Sequence, residues 1–507
     1  MLFDYTLINV FKHRVKNSMF DIALDSKQCK YNWLELDKIT DLLAIRMLNL
    51  GITKNDHVGI YSKNDPLWII TFYAISKIGA IPVLINASLK EKELLNILVT
   101  YNINCLFYNN KYKNIDCIEI INKIKKLHHI KYQSIDKEIN YIKNFNNIEI
   151  DIKDSELLSH LSKNINTNDT CVIMLTSGTT SESKGVVLSH FSILNNASAI
   201  VNSMKWDSTD NILLSVSLFH CFGLTVCLLT TLFSGSTLNI ISHFSRKIVL
   251  ETIEKCKITV LNGVPSMFLA LISYNEFYKY NLDTLKTGII AGSSYSKEEY
   301  LSIIKEFKNL NLIGSYGQTE TSPCVTIIDI NDSISNKANY AGKVISDVEI
   351  KIDINNEILV KGYNVMKEYY NSPLLTEKAF TSDGYLKTGD LGYLTSDGNL
   401  AINGRLKDII IRGGENISPY EIEKEILTLD EVKNCKVLGK KAPIMQEKIV
   451  ACISLNKKIE KEIIFNYLKD RLAYYKIPEE IYFYKELPRT ESGKISIKQL
   501  KEDINDE

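Results

Sequence analysis

The sequence has no excess of either charge, because its 507 residues include sixty basic and sixty acidic side chains. A chain without net charge has no global field that would draw it to nucleic acid or to an anionic membrane. Arginine is scarce as well, at seven of the sixty basic positions, while lysine abounds. We interpret this bias as a property of A- and T-rich coding DNA and not as a functional signal. The composition therefore favours neither nucleic acid nor a membrane as a partner.

Metal-binding and secretory patterns are missing too. The ten cysteines form no C-x-x-C pair, and His128-His129 is the one close histidine pair, so no zinc-ligand spacing is present. The amino terminus, MLFDYTLINVFKHRVK, lacks the charged start and apolar core of a secretory signal. These observations predict a cytoplasmic protein with reduced cysteines.

One long uncharged stretch needs an explanation. Residues 212–242 contain no Asp, Glu, Lys or Arg and are numerous enough to cross a bilayer. Serine, glycine and histidine interrupt the stretch and divide it into a strand, a turn and an apolar helix at 224–233. We expect a buried core here and no transmembrane segment.

Hydrophobic periodicity in the first hundred residues predicts alternating helices and strands. Asn32 and Glu35 can form a capping box for a helix that Gly51 ends. Strands are predicted at 57–61 and 80–85, with a helix at 67–76 between them. The same alternation returns with strands at 257–261, 287–291 and 311–314 and helices at 265–274 and 297–307. This alternation is typical of a parallel α/β layout.

The remaining segments complete the predicted architecture. The lysine- and asparagine-rich residues 109–163 are weakly patterned and are predicted to form surface structure. Short alternating strands follow residue 343, and a compact α+β pattern begins near residue 409. A chain of this length is expected to form at least two domains. We therefore predict an α/β fold: a large N-terminal domain of parallel α/β subdomains with a small β-rich unit, then a small mobile α+β C-terminal domain.

The segment TSGTTSESKG, residues 176–185, is dense in hydroxyl side chains and follows an apolar strand at 171–175. Glycine lets backbone N–H groups turn inward, hydroxyls donate to phosphate oxygens, and Lys184 supplies a positive charge. The spacing is not that of the nucleotide P-loop, because five residues separate Gly178 from Lys184 and Gly185 follows the lysine. These residues alone are compatible with a phosphate cradle or with a flexible surface loop.

Four further segments decide between these two interpretations. Together with the loop, and in this order, they resemble the core motifs of the adenylate-forming (AMP-binding) superfamily, which includes acyl-CoA synthetases, peptide-synthetase adenylation domains and firefly luciferase. The segments are GSYGQTETSP (314–323), GYLKTGDLGYL (384–394), GRLKDIIIRGGENISPYEIE (404–423) and PRTESGKISIKQL (488–500). SLFHCFGL (217–224) is similar to the family's acyl-pocket segment. The resemblance covers nearly the whole chain and implies a domain boundary between residues 1–406 and 407–507.

The resemblance implies that the chain joins a carboxylate to ATP, and it assigns roles in that reaction. The segment 176–185, called the phosphate loop below, would hold the β- and γ-phosphates. Thr319 would donate to the α-phosphate, and Glu320 with Thr176 would hold Mg²⁺. The implied ATP-binding residues are Thr176, Ser177, Gly178, Thr179, Thr180, Lys184, Gly292, Ser293, Ser315, Tyr316, Gly317, Thr319, Asp390, Arg405 and Lys494.

Three of these positions have ordinary structural alternatives. Tyr316 would lie against adenine, but a Tyr-Gly pair is often a simple turn. Asp390 would accept the ribose hydroxyls with Arg405 in support, although Asp after Gly is commonly a turn residue. Glu320 by itself could be a solvated surface acid. The surrounding motifs favour the functional interpretation. Family members usually have Gly at Ser181 and Pro at Ser183, so we expect altered ATP affinity and retained activity.

The C-terminal segment would serve two half-reactions in turn. Lys494 resembles the family's catalytic lysine, which reaches the α-phosphate and the carboxylate together. Lys407 stands at the family's hinge position, and rotation there would withdraw Lys494 and bring the segment RGGENI to the site. Gly413 and Gly414 would leave room for a pantetheine arm.

The acyl-pocket segment points to the substrate class. His220 resembles the aromatic residue that closes the acyl tunnel, and its ordinary alternative is a satisfied core histidine. Amino-acid-activating members carry an aspartate at this position, so His220 disfavours an amino acid. Cys221 has no evident histidine–acid partner that would make it a nucleophile. Phe219, His220, Phe222 and Gly223 are the predicted pocket residues for a fatty or aryl acid.

The predicted function is ATP-dependent formation of an acyl adenylate and transfer of the acyl group to coenzyme A, with ATP, Mg²⁺ and CoA as cofactors. The segment GGENISP is most similar to that of the medium-chain, fatty and aryl CoA ligases. A stand-alone enzyme that loads an acyl or peptidyl carrier protein remains the main alternative. A non-catalytic ligand-binding relative and a luciferase-like oxidase are further alternatives.

Overall fold

The structure is a computed structural model that describes residues 2–113, 115–137, 148–176, 184–412, 415–442, 446–472, 474–490 and 493–505. Within these ranges the chain forms two large sheets, a four-stranded sheet, a five-stranded C-terminal sheet and a short hairpin, Lys111–Tyr112 with Ile115–Asp116. This architecture confirms the predicted large parallel α/β region, the smaller β-rich unit and the α+β C-terminal part.

The first large sheet contains seven described strands. Its central strands pair in parallel, while Lys184–Ser189 lies antiparallel to Thr170–Thr176. In spatial order the strands are Glu368–Tyr369, Lys184–Ser189, Thr170–Thr176, Ile81–Ile85, His57–Tyr61, Ile103–Tyr108 and Lys131–Ser134. The antiparallel pair brings the two ends of the phosphate loop together, with Lys184 opposite Thr176.

The second large sheet contains nine described strands, and its central pairs are also parallel. In spatial order these are Lys343–Val344, Thr326–Ile327, Asn311–Tyr316, Thr287–Ile290, Val260–Leu261, Asn211–Leu214, Thr237–Ile240, Ile22–Ser26 and Lys30–Asn32. In parallel α/β sheets, ligand sites form beyond the carboxyl ends of the strands. Tyr316 lies at such an end.

Two smaller sheets follow along the chain. The four-stranded sheet has the spatial order Val348–Ile352, Glu357–Gly362, Leu386–Leu394 and Leu400–Arg405. The C-terminal sheet has the order Glu415–Ile417, Ile410–Arg412, Gln446–Leu455 and Val432–Ala442, with Glu480–Tyr484 also paired to Gln446–Leu455. The C-terminal sheet has its own apolar cluster, which includes Ile422, Ile449 and Ile464. A separate core is the property expected of a separate domain.

Helices cover the sheets and join their strands. The described α-helices are Leu7–Ser18, Trp33–Asn49, Pro66–Lys77, Glu91–Thr100, Cys117–Ile124, Ile152–Lys163, His190–Met204, Thr230–Ser234, Arg246–Cys256, Pro265–Ile272, Lys297–Glu306, Ile334–Asn339, Pro373–Ala379, Pro419–Ile426, Lys461–Lys469 and Ile497–Asn505. The short 3₁₀ turns are Phe277–Lys279, Thr319–Thr321, Leu406–Asp408 and Tyr474–Lys476. None of the helices in the described ranges is both long and apolar enough to cross a bilayer.

Local sequence signals specify several of these elements. The Asn32 side chain accepts from the Glu35 amide at 2.8 Å, and the Glu35 carboxylate accepts from the Asn32 amide at 2.9 Å. This predicted capping box begins the helix Trp33–Asn49, and Gly51 follows it with a φ of 72°. The predicted strand at 57–61 is confirmed at the same residues.

Two predictions about local structure need correction. Residues 109–163 are more than surface structure, because Lys131–Ser134 joins the seven-stranded sheet and Cys117, Ile121 and Ile124 are buried. The uncharged stretch is buried as predicted, but its helix begins earlier and is a π-helix over Phe222–Leu229 before it becomes α-helical at Thr230–Ser234. Apolar periodicity over so short and uniformly buried a segment does not distinguish the two helix types.

A buried histidine makes the fold sensitive to acid. The Leu7 amide donates to His190 Nδ1 at 3.2 Å, and burial lowers the pKa of His190 from its ordinary 6.5 to about 4. The unfolded chain therefore binds a proton between these values that the folded chain excludes. The contribution of His190 to the free energy of unfolding is complete above pH 6.5. It is lost as the pH drops towards 4, by up to about 3 kcal/mol.

We expect His190→Gln, which cannot take up a proton in this range, to lose less stability than the wild type when the pH falls from 7 to 5. Thermal unfolding at the two pH values measures the difference. Equal losses in both proteins would contradict the role given to His190.

Candidate active site

One cavity of about 2080 Å³ collects residues from separate parts of the chain. Its walls include Thr176 and Lys184 of the seven-stranded sheet, Tyr316 of the nine-stranded sheet and Arg405 of the four-stranded sheet. Lys494 reaches the same space from the C-terminal part. Ser315, Gly317, Thr319, Glu320 and Gly292 line it as well. Asp390, Ser293 and Gly223 lie beside this wall and not in it.

Some predicted residues fall outside the described ranges. Four belong to the phosphate loop: Ser177, Gly178, Thr179 and Thr180. The others are Ser181 and Ser183, where the loop departs from the usual family residues, and the glycine pair Gly413 and Gly414. The two ends of the loop are described, and the Thr176 hydroxyl donates to the Lys184 carbonyl at 3.4 Å.

Asp390 is fixed by two neighbours from different strands. The Tyr316 hydroxyl donates to Asp390 Oδ2 at 2.9 Å, and Arg405 Nε lies 2.8 Å from Asp390 Oδ1. Asp390 and Arg405 are directly opposed in an antiparallel pair, which explains how residues fifteen apart meet. Burial raises the pKa of Asp390, and Arg405 opposes that effect. Each carboxylate oxygen has the capacity to accept a second hydrogen bond, and 5% of the Asp390 side chain is exposed.

Four of the cations that line the cavity form an interacting cluster: Lys184, Arg405, Lys407 and Lys494. Burial lowers the pKa of Lys494, and the positive charges of Arg405 and Lys407 lower it further. Burial and Arg405 likewise lower the pKa of Lys407. Like charges brought together in a partly buried site repel one another, and a polyanion relieves that repulsion. The cluster is therefore electrostatically matched to a triphosphate.

Glu320 lies in the 3₁₀ turn Thr319–Thr321 and accepts a hydrogen bond from the Tyr369 hydroxyl at 2.9 Å. Sequence reasoning missed Tyr369, which belongs to a two-residue strand. The adjacent tyrosines in KEYYNSP (367–373) were a weak signal. Mg²⁺ in nucleotide sites takes one or two carboxylates and completes its shell with phosphate oxygens and water. The Glu320 carboxylate, on the same cavity wall as the loop end Thr176, fits that pattern.

The turn at Gly317 is possible only for glycine. A Cβ at this position would lie 1.6 Å from the Pro323 carbonyl oxygen, well inside van der Waals contact. Any side chain here must therefore displace the backbone between Tyr316 and Thr319, and both of those residues line the cavity.

We expect Gly317→Ala to lower kcat/KM for ATP by about 100-fold, because a displacement near 1 Å at a reacting site can cost that much. Steady-state kinetics with varied ATP checks this result. Gly398→Ala is the matched control, since a Cβ there meets nothing within 4 Å and its φ of 84° is also positive. Similar losses in both variants would show that glycine replacement itself, and not this contact, is responsible.

The segment before Lys494 packs against the large N-terminal part. Gly493 has a φ of 83°, and a Cβ there would lie 2.5 Å from Ser266 Oγ. The Thr490 amide donates to the Lys494 carbonyl at 2.7 Å, which closes the turn that carries the lysine. These contacts hold Lys494 in the cavity.

The predicted acyl-pocket residues meet the cavity from another side. Phe219 and Phe222 line it. His220 also lines it and is exposed, with its ring centre 4.4 Å from the centre of the Phe219 ring. Its position does not fit a histidine enclosed in the core. Gly223 lets the chain pass Ser217, because a Cβ would lie 2.2 Å from the Ser217 carbonyl oxygen.

Part of the cavity lining, here called the inner wall, is apolar. Ile200, Val216, Val226, Ile289 and Cys324 contribute to it. Burial raises the pKa of the nearby Cys221 thiol to about 12, so the thiol stays protonated and is a poor nucleophile.

Comparisons with known proteins identify the family. Residues 11–370 match the family described as AMP-binding enzyme, and residues 421–494 match the AMP-binding enzyme C-terminal domain. The chain belongs to the AMP-binding enzyme family. YngI of Bacillus subtilis, which its name places among the acyl-CoA synthetases, is 33% identical over 95% of this chain and 93% of its own length.

Two further proteins extend the comparison. The medium-chain acyl-CoA ligase ACSF2 of Bos taurus, a mitochondrial protein, is 29% identical over 95% of this chain and 84% of its own. The solved o-succinylbenzoate CoA synthetase MenE of Bacillus subtilis, in complex with its acyl-adenylate intermediate, has a TM-score of 0.81 at 26% identity and covers 99% of both chains. The same MenE enzyme has also been solved with ATP and a magnesium ion.

Proposed function

We propose that this cavity adenylates a fatty or aryl carboxylic acid and then passes the acyl group to coenzyme A. The chain is an AMP-forming acyl-CoA ligase, which uses ATP, Mg²⁺ and CoA. The observation that carries the residue assignment is the convergence of the cation cluster, the Tyr316 side chain that holds Asp390, and apolar lining residues on one cavity. Each of these features suits a different part of an acyl adenylate.

The nucleotide would be oriented by its ribose and base. Asp390 would accept the ribose hydroxyls, with Tyr316 and Arg405 fixing its carboxylate. The Tyr316 ring and the backbone of Gly292 and Ser293 would flank adenine. Gly292 has a φ of 89°, which keeps this turn open to a planar base.

The phosphates would be held by the cation cluster. Lys184 and the phosphate loop would take the β- and γ-phosphates, while Thr319 would donate to the α-phosphate. Glu320 and Thr176 would hold Mg²⁺, which when bound neutralises charge on the phosphate oxygens. Because the attacking carboxylate and the α-phosphate are both anions, Lys494 would lower the repulsion between them as they approach.

The second half-reaction would use another position of the C-terminal domain. We propose that residues 1–406 and 407–507 are separate domains and that Lys407 is the hinge between them. The proposal is supported by the separate apolar cluster of the C-terminal part and by the location of Lys407 in the short turn Leu406–Asp408. Rotation at Lys407 would withdraw Lys494. It would also bring Gly413 and Gly414 beside the path along which the thiol of coenzyme A reaches the acyl adenylate.

The substrate tail would lie between Phe222 and the inner wall, with His220 at the mouth. An apolar lining gains about 0.8 kcal/mol for each methylene that it removes from water. We therefore propose an uncharged fatty or aryl tail. None of the ten cysteines, all of which lie in the described ranges, forms a disulfide, and this further supports a site that works in a reducing compartment such as the cytosol.

A panel of carboxylic acids tests this proposal, with pyrophosphate release as the rate and acyl-CoA as the detected product. We expect fatty or aryl monocarboxylates to support both signals and amino acids to support neither. A phosphopantetheine-bearing carrier protein, offered in place of CoA, tests the alternative acceptor. Acyl transfer to the carrier with none to CoA would overturn the choice of coenzyme A.

A further inference from the structure

The short strand Glu368–Tyr369 connects the two halves of the phosphate site. It pairs with Lys184–Ser189, and the Tyr370 amide donates to the Gly185 carbonyl at 2.7 Å. A few residues earlier, the Met366 amide donates to the Glu320 carbonyl at 2.8 Å. One short segment is thus bonded both to the strand that begins at Lys184 and to the turn that carries Glu320.

The Tyr369 side chain makes the same connection inside the cavity. Its hydroxyl donates to Glu320 Oε1 at 2.9 Å, and Lys184 Nζ lies 4.9 Å from the centre of its ring. Tyr369 is 8% exposed and lines the cavity. Its ring position is set by the backbone, because its amide donates to Thr376 Oγ1 at 3.0 Å.

These contacts have clear physical consequences. A hydrogen bond to one carboxylate oxygen restricts the rotation of the carboxylate and leaves the second oxygen available to a ligand. The face of the phenol ring attracts an ammonium group and limits the positions that the lysine samples.

We propose that Tyr369 is a positioning residue for magnesium-bound ATP: its hydroxyl orients the Glu320 carboxylate and its ring holds Lys184 towards the phosphates. The inference rests on the proposed function. It adds a residue that is not among the ATP-binding residues implied by the family resemblance. The two parts of one side chain have separable effects, because removal of the hydroxyl leaves the ring in place.

Tyr369→Phe and Tyr369→Leu separate these effects, and calorimetric titration with ATP measures binding without turnover. Titrations are run with Mg²⁺ and with EDTA. We expect Tyr369→Phe to weaken binding about tenfold with Mg²⁺, because a hydrogen bond to a charged group contributes on the order of 1.5 kcal/mol. With EDTA it binds ATP like the wild type. Tyr369→Leu also weakens binding with EDTA, since Lys184 loses the ring.

The matched control is Tyr370→Phe, next along the chain. The Tyr370 hydroxyl accepts from Asn102 Nδ2 at 3.2 Å, away from the Glu320 carboxylate that Tyr369 contacts. This variant keeps wild-type binding under both conditions. Thermal unfolding of all variants reports any general loss of structure.

A double-mutant cycle with Glu320→Gln tests whether Tyr369 acts through Glu320. In that background Tyr369→Phe produces little further loss with Mg²⁺, because the charged acceptor is already gone. Additive losses, or equal losses with Mg²⁺ and EDTA, would overturn the inference. Failure of the wild type to bind ATP at all would instead count against the proposed function.

Discussion

Lys494→Ala is expected to lower acid-dependent adenylation by about 100- to 1000-fold, a loss comparable with removal of one donor that stabilises developing charge in other enzymes. Lys494 lines the cavity beside Arg405 and Lys407, and the Gly493 turn packed on Ser266 holds it there. Without Lys494, the repulsion between the substrate carboxylate and the α-phosphate is less screened as the two groups approach. Exchange of labelled pyrophosphate into ATP measures this step.

The same variant is expected to form thioester from supplied acyl adenylate and CoA at close to the wild-type rate, because the proposed rotation withdraws Lys494 in that step. Lys498→Ala provides a matched control, since Lys498 is four residues further along, its side chain is 89% exposed, and it interacts with Glu502 at 3.9 Å. Equal loss of both half-reactions in Lys494→Ala would contradict the separation of roles.

Lys407→Pro is expected to show the opposite pattern: adenylation is largely retained and thioester formation falls by about two orders of magnitude. Proline fixes φ near −65° and restricts the preceding residue, so it would block the rotation that we propose at Lys407. The short turn Leu406–Asp408 already has a helical conformation that accepts this φ. Single-turnover assays that follow each half-reaction separately measure the effect.

Lys407→Ala separates the backbone effect from the charge. It keeps rotation free but removes one of the four cations, so we expect a modest rise in KM for ATP and a normal second step. A thioester rate as low as that of Lys407→Pro would show that the lysine charge, and not the rotation, is what the second step needs.

Much of the site could be predicted because its residues stand at the ends of regular elements. Thr176 ends a strand, Lys184 begins the next, and Tyr316 ends a strand in the other large sheet. The loops after such strands meet at one edge. Most of the predicted motif residues that the structure describes therefore line one cavity. The predicted fold class is confirmed for the large α/β part and for the smaller parts.

Other contacts could not be read from the sequence. Tyr369 reaches Glu320 across 49 positions from a strand of two residues, a length too short to leave a periodic pattern. Lys131–Ser134 joined the seven-stranded sheet although its surroundings are rich in lysine and asparagine, because tertiary pairing can override local preference. The placement of Lys407 within the cation cluster likewise depends on the turn that precedes the C-terminal sheet.

Exchange of labelled pyrophosphate into ATP by the wild-type protein, with CoA omitted and carboxylic acids supplied one at a time, tests the central claim most directly. If the four cations and Asp390 bind ATP for attack by an acid in the neighbouring apolar pocket, exchange requires both Mg²⁺ and a fatty or aryl acid. Exchange that proceeds without any acid, or that no acid of the panel supports, would contradict the account.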